Sequence, residues 1–189
     1  MSGKNQQKLK IIAELPQTIR QVTLAAFLSK LFRAKNMDFI LVGGATVQFY
    51  TQGTYLTKDI DVILRGDTKE MIEEIMNSLG FRRTSNYRQF GHPVFDFSIE
   101  FPPSPIEIGS RTISKVNVIE TPEGPLEIIR IEDIIMDRII AGVEWKHQGS
   151  IEQAKLLWMK NQKRIDLDYL TDFAKKEGYL KTLNQIISR

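Results

Sequence analysis

Four consecutive apolar residues, Phe39-Ile40-Leu41-Val42, run straight into Gly43-Gly44, and a helix-length spacer then leads to Asp59-Ile60-Asp61-Val62. A short apolar run ended by glycines reads as a buried strand. Ala45 to Tyr50 can begin a helix directly after the glycines, and Gln52-Gly53 closes it. Ile60 to Leu64 reads as a second strand with the carboxylates at its beginning. Side chains two apart on a strand point the same way, so Asp59 and Asp61 project together while Ile60 and Val62 enter the core.

The rest of the chain fits a mixed sheet with helices. Val22, Ala25, Leu28, Leu31 and Phe32 recur at helical spacing between Thr18 and Ala34, whereas the residues before them are polar and read as loose. Asp67 and Glu70 resemble a capping box for a helix with Met71, Ile72, Ile75 and Leu79 inward and Gly80 as its stop. Phe81 to Phe101 is strand-like, with a turn at Phe90-Gly91-His92-Pro93, and Pro102-Pro103-Ser104-Pro105 ends it. Short strands follow at Lys115–Ile119 and Leu126–Ile129, around the turn Thr121-Pro122-Glu123-Gly124-Pro125. Helical patterns dominate after Arg130: Ile131–Val143, Ser150–Lys160, Asp166–Lys176 and Leu180–Ile187. The expectation is an α+β sheet region over residues 1–130 and a helical region over 131–189 packed on it. Trp145 and Trp158, on helical patterns, are expected to pack in the core or tail.

Composition narrows the chemistry. The 189 residues contain no cysteine, which removes thiol nucleophiles, Cys-ligated zinc and iron–sulfur clusters. The first fifteen residues lack a signal peptide's apolar stretch, and no run is long enough to span a bilayer, so a cytoplasmic protein without a membrane partner is expected. A net charge of +3 suits an anionic substrate without itself arguing for nucleic-acid binding. No phosphate-binding loop ending in Lys-Ser or Lys-Thr, no Gly-x-Ser-x-Gly elbow and no calcium loop is present, and His92 and His147 have no partner at metal spacing.

Two carboxylates on one strand face repel each other, and a divalent cation relieves them; all-oxygen ligation suits Mg²⁺. Gly43-Gly44 permits φ > 0 and close backbone approach, and the helix it opens presents amides suited to an anion. In Val94 to Phe101, Asp96 and Glu100 alternate onto one face and Phe95, Phe97, Ile99 and Phe101 onto the other. Asp137-Arg138 reads equally as a structural ion pair or as a pair facing the site.

The order strand, Gly43-Gly44, helix, Asp59-Ile60-Asp61-Val62 resembles the signature of the nucleotidyltransferase superfamily, the fold of DNA polymerase β. The spacer is slightly longer than typical, and Lys58 separates Thr57 from Asp59, where a Ser or Thr usually adjoins the first aspartate. The stretch Ile99-Glu100-Phe101-Pro102-Pro103-Ser104-Pro105, then Ile108-Gly109, Asp137-Arg138, Trp145 and Gln153-Ala154, is similar to a prokaryotic group of stand-alone nucleotidyltransferases. The resemblance implies catalytic, metal-binding carboxylates at Asp59, Asp61 and Glu100, with Asp96 as the alternative third ligand. It implies Mg²⁺ (or Mn²⁺) as cofactor and a nucleoside triphosphate as substrate. Gly43, Gly44, Thr57, Lys58 and Arg65 would bind the nucleotide, with Arg82, Arg83, Arg88 and Arg111 as remoter cations. The acceptor hydroxyl could belong to a protein, a tRNA or a small molecule. Relatives in toxin–antitoxin systems suggest a toxin or antitoxin partner, and the alternative is an inactive binding module or antitoxin-like regulator on the same fold.

Overall fold

The computed structural model describes residues 2–66 and 69–188, so the proposed Asp67 cap lies outside the described residues. Two helices, α1 (Ser2–Ala13) and α2 (Gln17–Arg33), precede β1 (Asp38–Val42), α3 (Gly43–Tyr50) and β2 (Asp59–Arg65). Then come α4 (Lys69–Ser78), β3 (Arg82–Arg83), β4 (Gln89–Gly91), β5 (Ser98–Glu100) and the hairpin β6 (Glu107–Ile108) and β7 (Arg111–Thr112). The chain continues through β8 (Val116–Thr121), β9 (Gly124–Ile129), α5 (Ile131–Glu144), α6 (Gln148–Asn161), a 3₁₀ turn at Gln162–Arg164, α7 (Leu167–Lys176) and α8 (Leu180–Ile187).

Seven strands form one mixed sheet in the order β3-β4-β5-β2-β1-β9-β8. β2 is its pivot: it runs antiparallel to β1, with Leu41 opposite Val62 and Val42 opposite Asp61, and parallel to β5, with Asp59 beside Ser98 and Asp61 beside Glu100. Strand alternation then sorts the side chains. Phe39, Leu41, Ile60, Val62, Leu64 and Ile99 share one buried face, where Phe32 of α2 meets Phe39 and Phe101 at ring-centroid distances of 5.5 and 5.8 Å. Ile40, Val42, Asp59, Asp61, Ile63, Ser98 and Glu100 share the other.

Three expectations need correction. The N-terminus is helical rather than loose: α1 buries Leu9 and Ile12 completely, and Gln6 Nε2 donates to the Leu79 carbonyl at 2.8 Å. The strand-like reading of Phe81 to Phe101 resolves into three short strands. Phe95 N–H donates back to His92 O in a turn, so residues 93–97 leave the ladder while Phe95 and Phe97 stay buried in an aromatic cluster. Trp145, at the end of α5, is 79% exposed rather than packed, whereas Trp158 lies half-buried against the core.

The helical region closes on the sheet region. α3 contacts both α5 and α6, and Asn161 Nδ2 donates to the Tyr50 carbonyl at 3.0 Å. α5 and α7 are joined through buried Asp133, which accepts from Arg130 Nε at 3.0 Å and from the Tyr169 hydroxyl at 2.6 Å. One continuous apolar core runs from Leu9 of α1 to Ile186 of α8.

Candidate active site

The strand-to-helix junction at Gly43-Gly44 is shaped by two different side chains of the β2 segment. Gly43 has φ +62°, and a Cβ there would overlap the Asp61 carboxylate. Gly44 has an ordinary φ, but its Cβ would lie 2.6 Å from Thr57 Oγ1. The first glycine is therefore required by backbone conformation and by Asp61, the second by Thr57 alone. With both in place, the Gly44 amide at the start of α3 donates to Asp61 Oδ2 at 3.3 Å.

Asp59 is held from the opposite side. Ser98 Oγ donates to Asp59 Oδ1 at 2.6 Å, and Gln89 Nε2 donates to Ser98 Oγ at 2.7 Å. A hydrogen-bonded row thus crosses β4, β5 and β2 and fixes the carboxylate. The alternation that pairs Asp96 with Glu100 also places Ser98 on this face, so the Ser98 contact was recoverable from the sequence once the parallel register was known.

Register separates the two candidates for a third carboxylate. Glu100 lies directly beside Asp61 across the parallel pair, whereas Asp96 precedes β5, its side chain 72% exposed and paired with Arg20 at 3.4 Å. The structure therefore gathers Asp59, Asp61 and Glu100 on one face and leaves Asp96 outside.

Burial pushes the Asp61 carboxyl up from 3.8 to about 6. The Gly44 amide opposes that rise, the negative charges of Glu100 and Asp59 add to it, and the Arg138 cation offsets part of it. Asp61, Gly43, Pro102, Asp137 and Arg138 line a cavity of about 200 Å³. Asp137-Arg138 is an ion pair, and both residues line the cavity that Asp61 enters. Arg138 also donates to Gln153 Oε1 at 3.4 Å and reaches the Asp61 cavity from α5.

The expected nucleotide contacts divide. Gly43 and Gly44 border the carboxylates. Thr57 is buried and serves as a post: its N–H donates to Gln48 Oε1 at 3.1 Å, its carbonyl accepts from Gln21 Nε2 at 3.0 Å, and its hydroxyl accepts from Asp59 N–H at 3.3 Å. Lys58 is exposed next to Asp59. Arg65 sits at the far end of β2, roughly 20 Å from Asp59 at strand rise, and its Nη2 donates to the Ile113 carbonyl at 3.2 Å. Arg111 is engaged at α7, on Asp172 and over Phe173.

Among the described residues, no group of three carboxylate or imidazole side chains is placed to hold a metal ion. The donors nevertheless fit a hard divalent cation chemically. They are all carboxylate oxygens, and the rise in Asp61's proton affinity reflects, after burial, the like-charge crowding that such a cation relieves.

Comparison with solved structures identifies the architecture. The chain is similar to the crystal structure of an antigenic nucleotidyltransferase-like protein from Paracoccidioides brasiliensis, with 13% identity and a TM-score of 0.57 over 86% of this chain and 90% of that one. It is also similar to the solution structure of the antibiotic-resistance factor ANT(2'')-Ia, with 18% identity and a TM-score of 0.54 over 90% of this chain and 99% of that one. No model of a known protein family matches the sequence, and neither does any curated protein. The protein has the nucleotidyltransferase fold.

Proposed function

We propose that this protein is a nucleotidyltransferase that moves a nucleoside monophosphate from a triphosphate to an acceptor hydroxyl, releasing pyrophosphate. The observation that carries the reading is the register that sets Asp59, Asp61 and Glu100 side by side next to the Gly43-Gly44 junction. Asp59, Asp61 and Glu100 would hold Mg²⁺ (or Mn²⁺), which when bound stabilises charge on the attacking and leaving oxygens of an in-line displacement. Ser98 and Gln89 keep Asp59 in position, and the Gly44 amide does the same for Asp61. Glu100 is the carboxylate that would take the acceptor hydroxyl proton. Lys58, beside Asp59, and Arg138, which lines the Asp61 cavity, would be the cations for triphosphate oxygens.

One observation favours the competing reading of an inactive binding module. Asp59 and Asp61 already have hydrogen-bond partners, and among the described residues no three-ligand group is formed as placed. Calorimetric titration with each nucleoside triphosphate, with and without Mg²⁺, separates the two. The enzyme reading expects Mg²⁺-dependent binding that Asp59→Asn/Asp61→Asn abolishes. A folded protein that binds no triphosphate under any condition overturns it.

A further inference from the structure

A second cavity, of about 360 Å³, lies around the sheet edge from the carboxylates, between α4, the β3–β4 turn and the Pro102-Pro103-Ser104 segment. Lys69, Arg83 and Arg88 contribute to its lining, and among the described residues no carboxylate does. Its aromatic residues are Tyr87, Phe90 and Phe101. Tyr87 is 57% exposed, with the Arg88 guanidinium 5.0 Å from its ring centroid. Arg83 sits 4.9 Å from the Phe90 centroid and is paired at 3.2 Å with exposed Glu73, which lies outside the lining. Pro102 borders both this cavity and the one lined by Asp61.

Three cations beside an exposed aromatic ring recognise a specific chemistry. Cations alone suit any anion, and a ring alone suits any apolar group. Together they match a phosphate joined to a planar base, because a base stacks on an aromatic ring while phosphate oxygens take the guanidinium and ammonium donors. The volume falls in the range of small-ligand pockets. We infer that this cavity binds a nucleotide unit, phosphate on Lys69, Arg83 and Arg88 and base against Tyr87, at a site separate from Asp59, Asp61 and Glu100. The unit comes either as a free nucleotide or as one residue of a single strand. Leu64 and Phe90 put it on the sheet face opposite Asp59, Asp61 and Glu100, so this binding does not rest on the nucleotidyl-transfer reading.

The test keeps the two sites apart by working in EDTA. Adenosine monophosphate and a fluorescein-labelled ten-nucleotide single-stranded RNA are titrated into the intact protein, Asp59→Asn/Asp61→Asn, Lys69→Gln/Arg88→Gln, Tyr87→Ala and Tyr87→Phe. Binding is expected without metal, unchanged in the Asp variant, about tenfold weaker or worse in Lys69→Gln/Arg88→Gln, weakened in Tyr87→Ala and kept in Tyr87→Phe. A strand as the source gives tighter binding of the RNA, with a salt dependence that becomes shallower when the cations are removed. A free nucleotide as the source gives binding of the monophosphate with no gain for the RNA. No binding of either probe in EDTA, or equal binding by all the variants, overturns the inference. Failure of the Mg²⁺-dependent triphosphate binding while this binding persists overturns the nucleotidyl-transfer reading and leaves this site standing.

Discussion

Asp61 carries a cost that the fold accepts. An aspartate in the unfolded chain titrates near 3.8, and in the folded chain this one is pushed up to about 6, first by burial. A raised folded value favours folding below the unfolded one. That contribution is lost as pH rises through about 6, so above it the ionised carboxylate destabilises the metal-free protein by at most about 3 kcal/mol. Asparagine keeps the acceptor for the Gly44 amide and has no charge to lose. Asp61→Asn is therefore expected to stabilise the protein at pH 8 in EDTA, by up to about 3 kcal/mol in urea denaturation, and by much less at pH 4.5. A gain independent of pH would mean that packing, not ionisation, separates the two proteins. At this scale the sequence was legible wherever alternation governs. Asp59 with Asp61, and Glu100 on the acidic face, follow from a period of two. The choice between Glu100 and Asp96 does not, because both obey the same period and only the register against β2 separates them. Arg65 looked close because sequence distance was read as spatial distance, whereas a strand carries it steadily away from its first residue.

Among the elements, those with unbroken apolar runs or clear helical spacing were readable: α2, β1, β2, β9 and the four helices after Arg130. α1 was not. Its residues are mostly polar, and its inward side is little more than Leu9 and Ile12, too few to announce a period. Tertiary packing decides such a helix, since Leu9 and Ile12 join the core and Gln6 reaches the Leu79 carbonyl. Residues 93–97 failed for the opposite reason. Their aromatics alternate as in a strand, but the His92–Phe95 turn takes the backbone out of the ladder while the rings remain inside. If α1 belongs to the core, Leu9→Ala should cost about 2–4 kcal/mol in urea denaturation, as large-to-small core changes do. Ile11→Ala, at a position 51% exposed, should change little. Equal, small effects for both would show that α1 frays in solution and contributes nothing to the core.

For the molecule as a whole, the division at residue 130 marks a change of composition, and the contacts across it are those of one core. Tyr50 shows why. Its carbonyl accepts from Asn161, and its hydroxyl donates to the Ile129 carbonyl at 3.0 Å and accepts from Asn117 Nδ2 at 3.2 Å, so one residue, through main chain and side chain, holds α3, β8, β9 and α6 together. Burial pushes its phenol up to about 12, as expected for a hydroxyl kept from water. The carboxylate cavity also crosses the division, with Gly43 and Asp61 on one side and Ile134, Asp137 and Arg138 on the other. A sheet region released from its helices would expose α3 and open this cavity, so neither part has a complete core by itself. Both tryptophans lie after residue 130, which makes fluorescence a probe of the helical region alone, with half-buried Trp158 the sensitive one. Far-UV circular dichroism reads the sheet region as well. The two signals should give coincident urea transitions with the same midpoint, and a fragment of residues 1–130 should show no cooperative transition. An earlier fluorescence midpoint would establish the helical region as a separate folding unit, and arginine 138 would then reach the carboxylates by docking rather than as part of their own core.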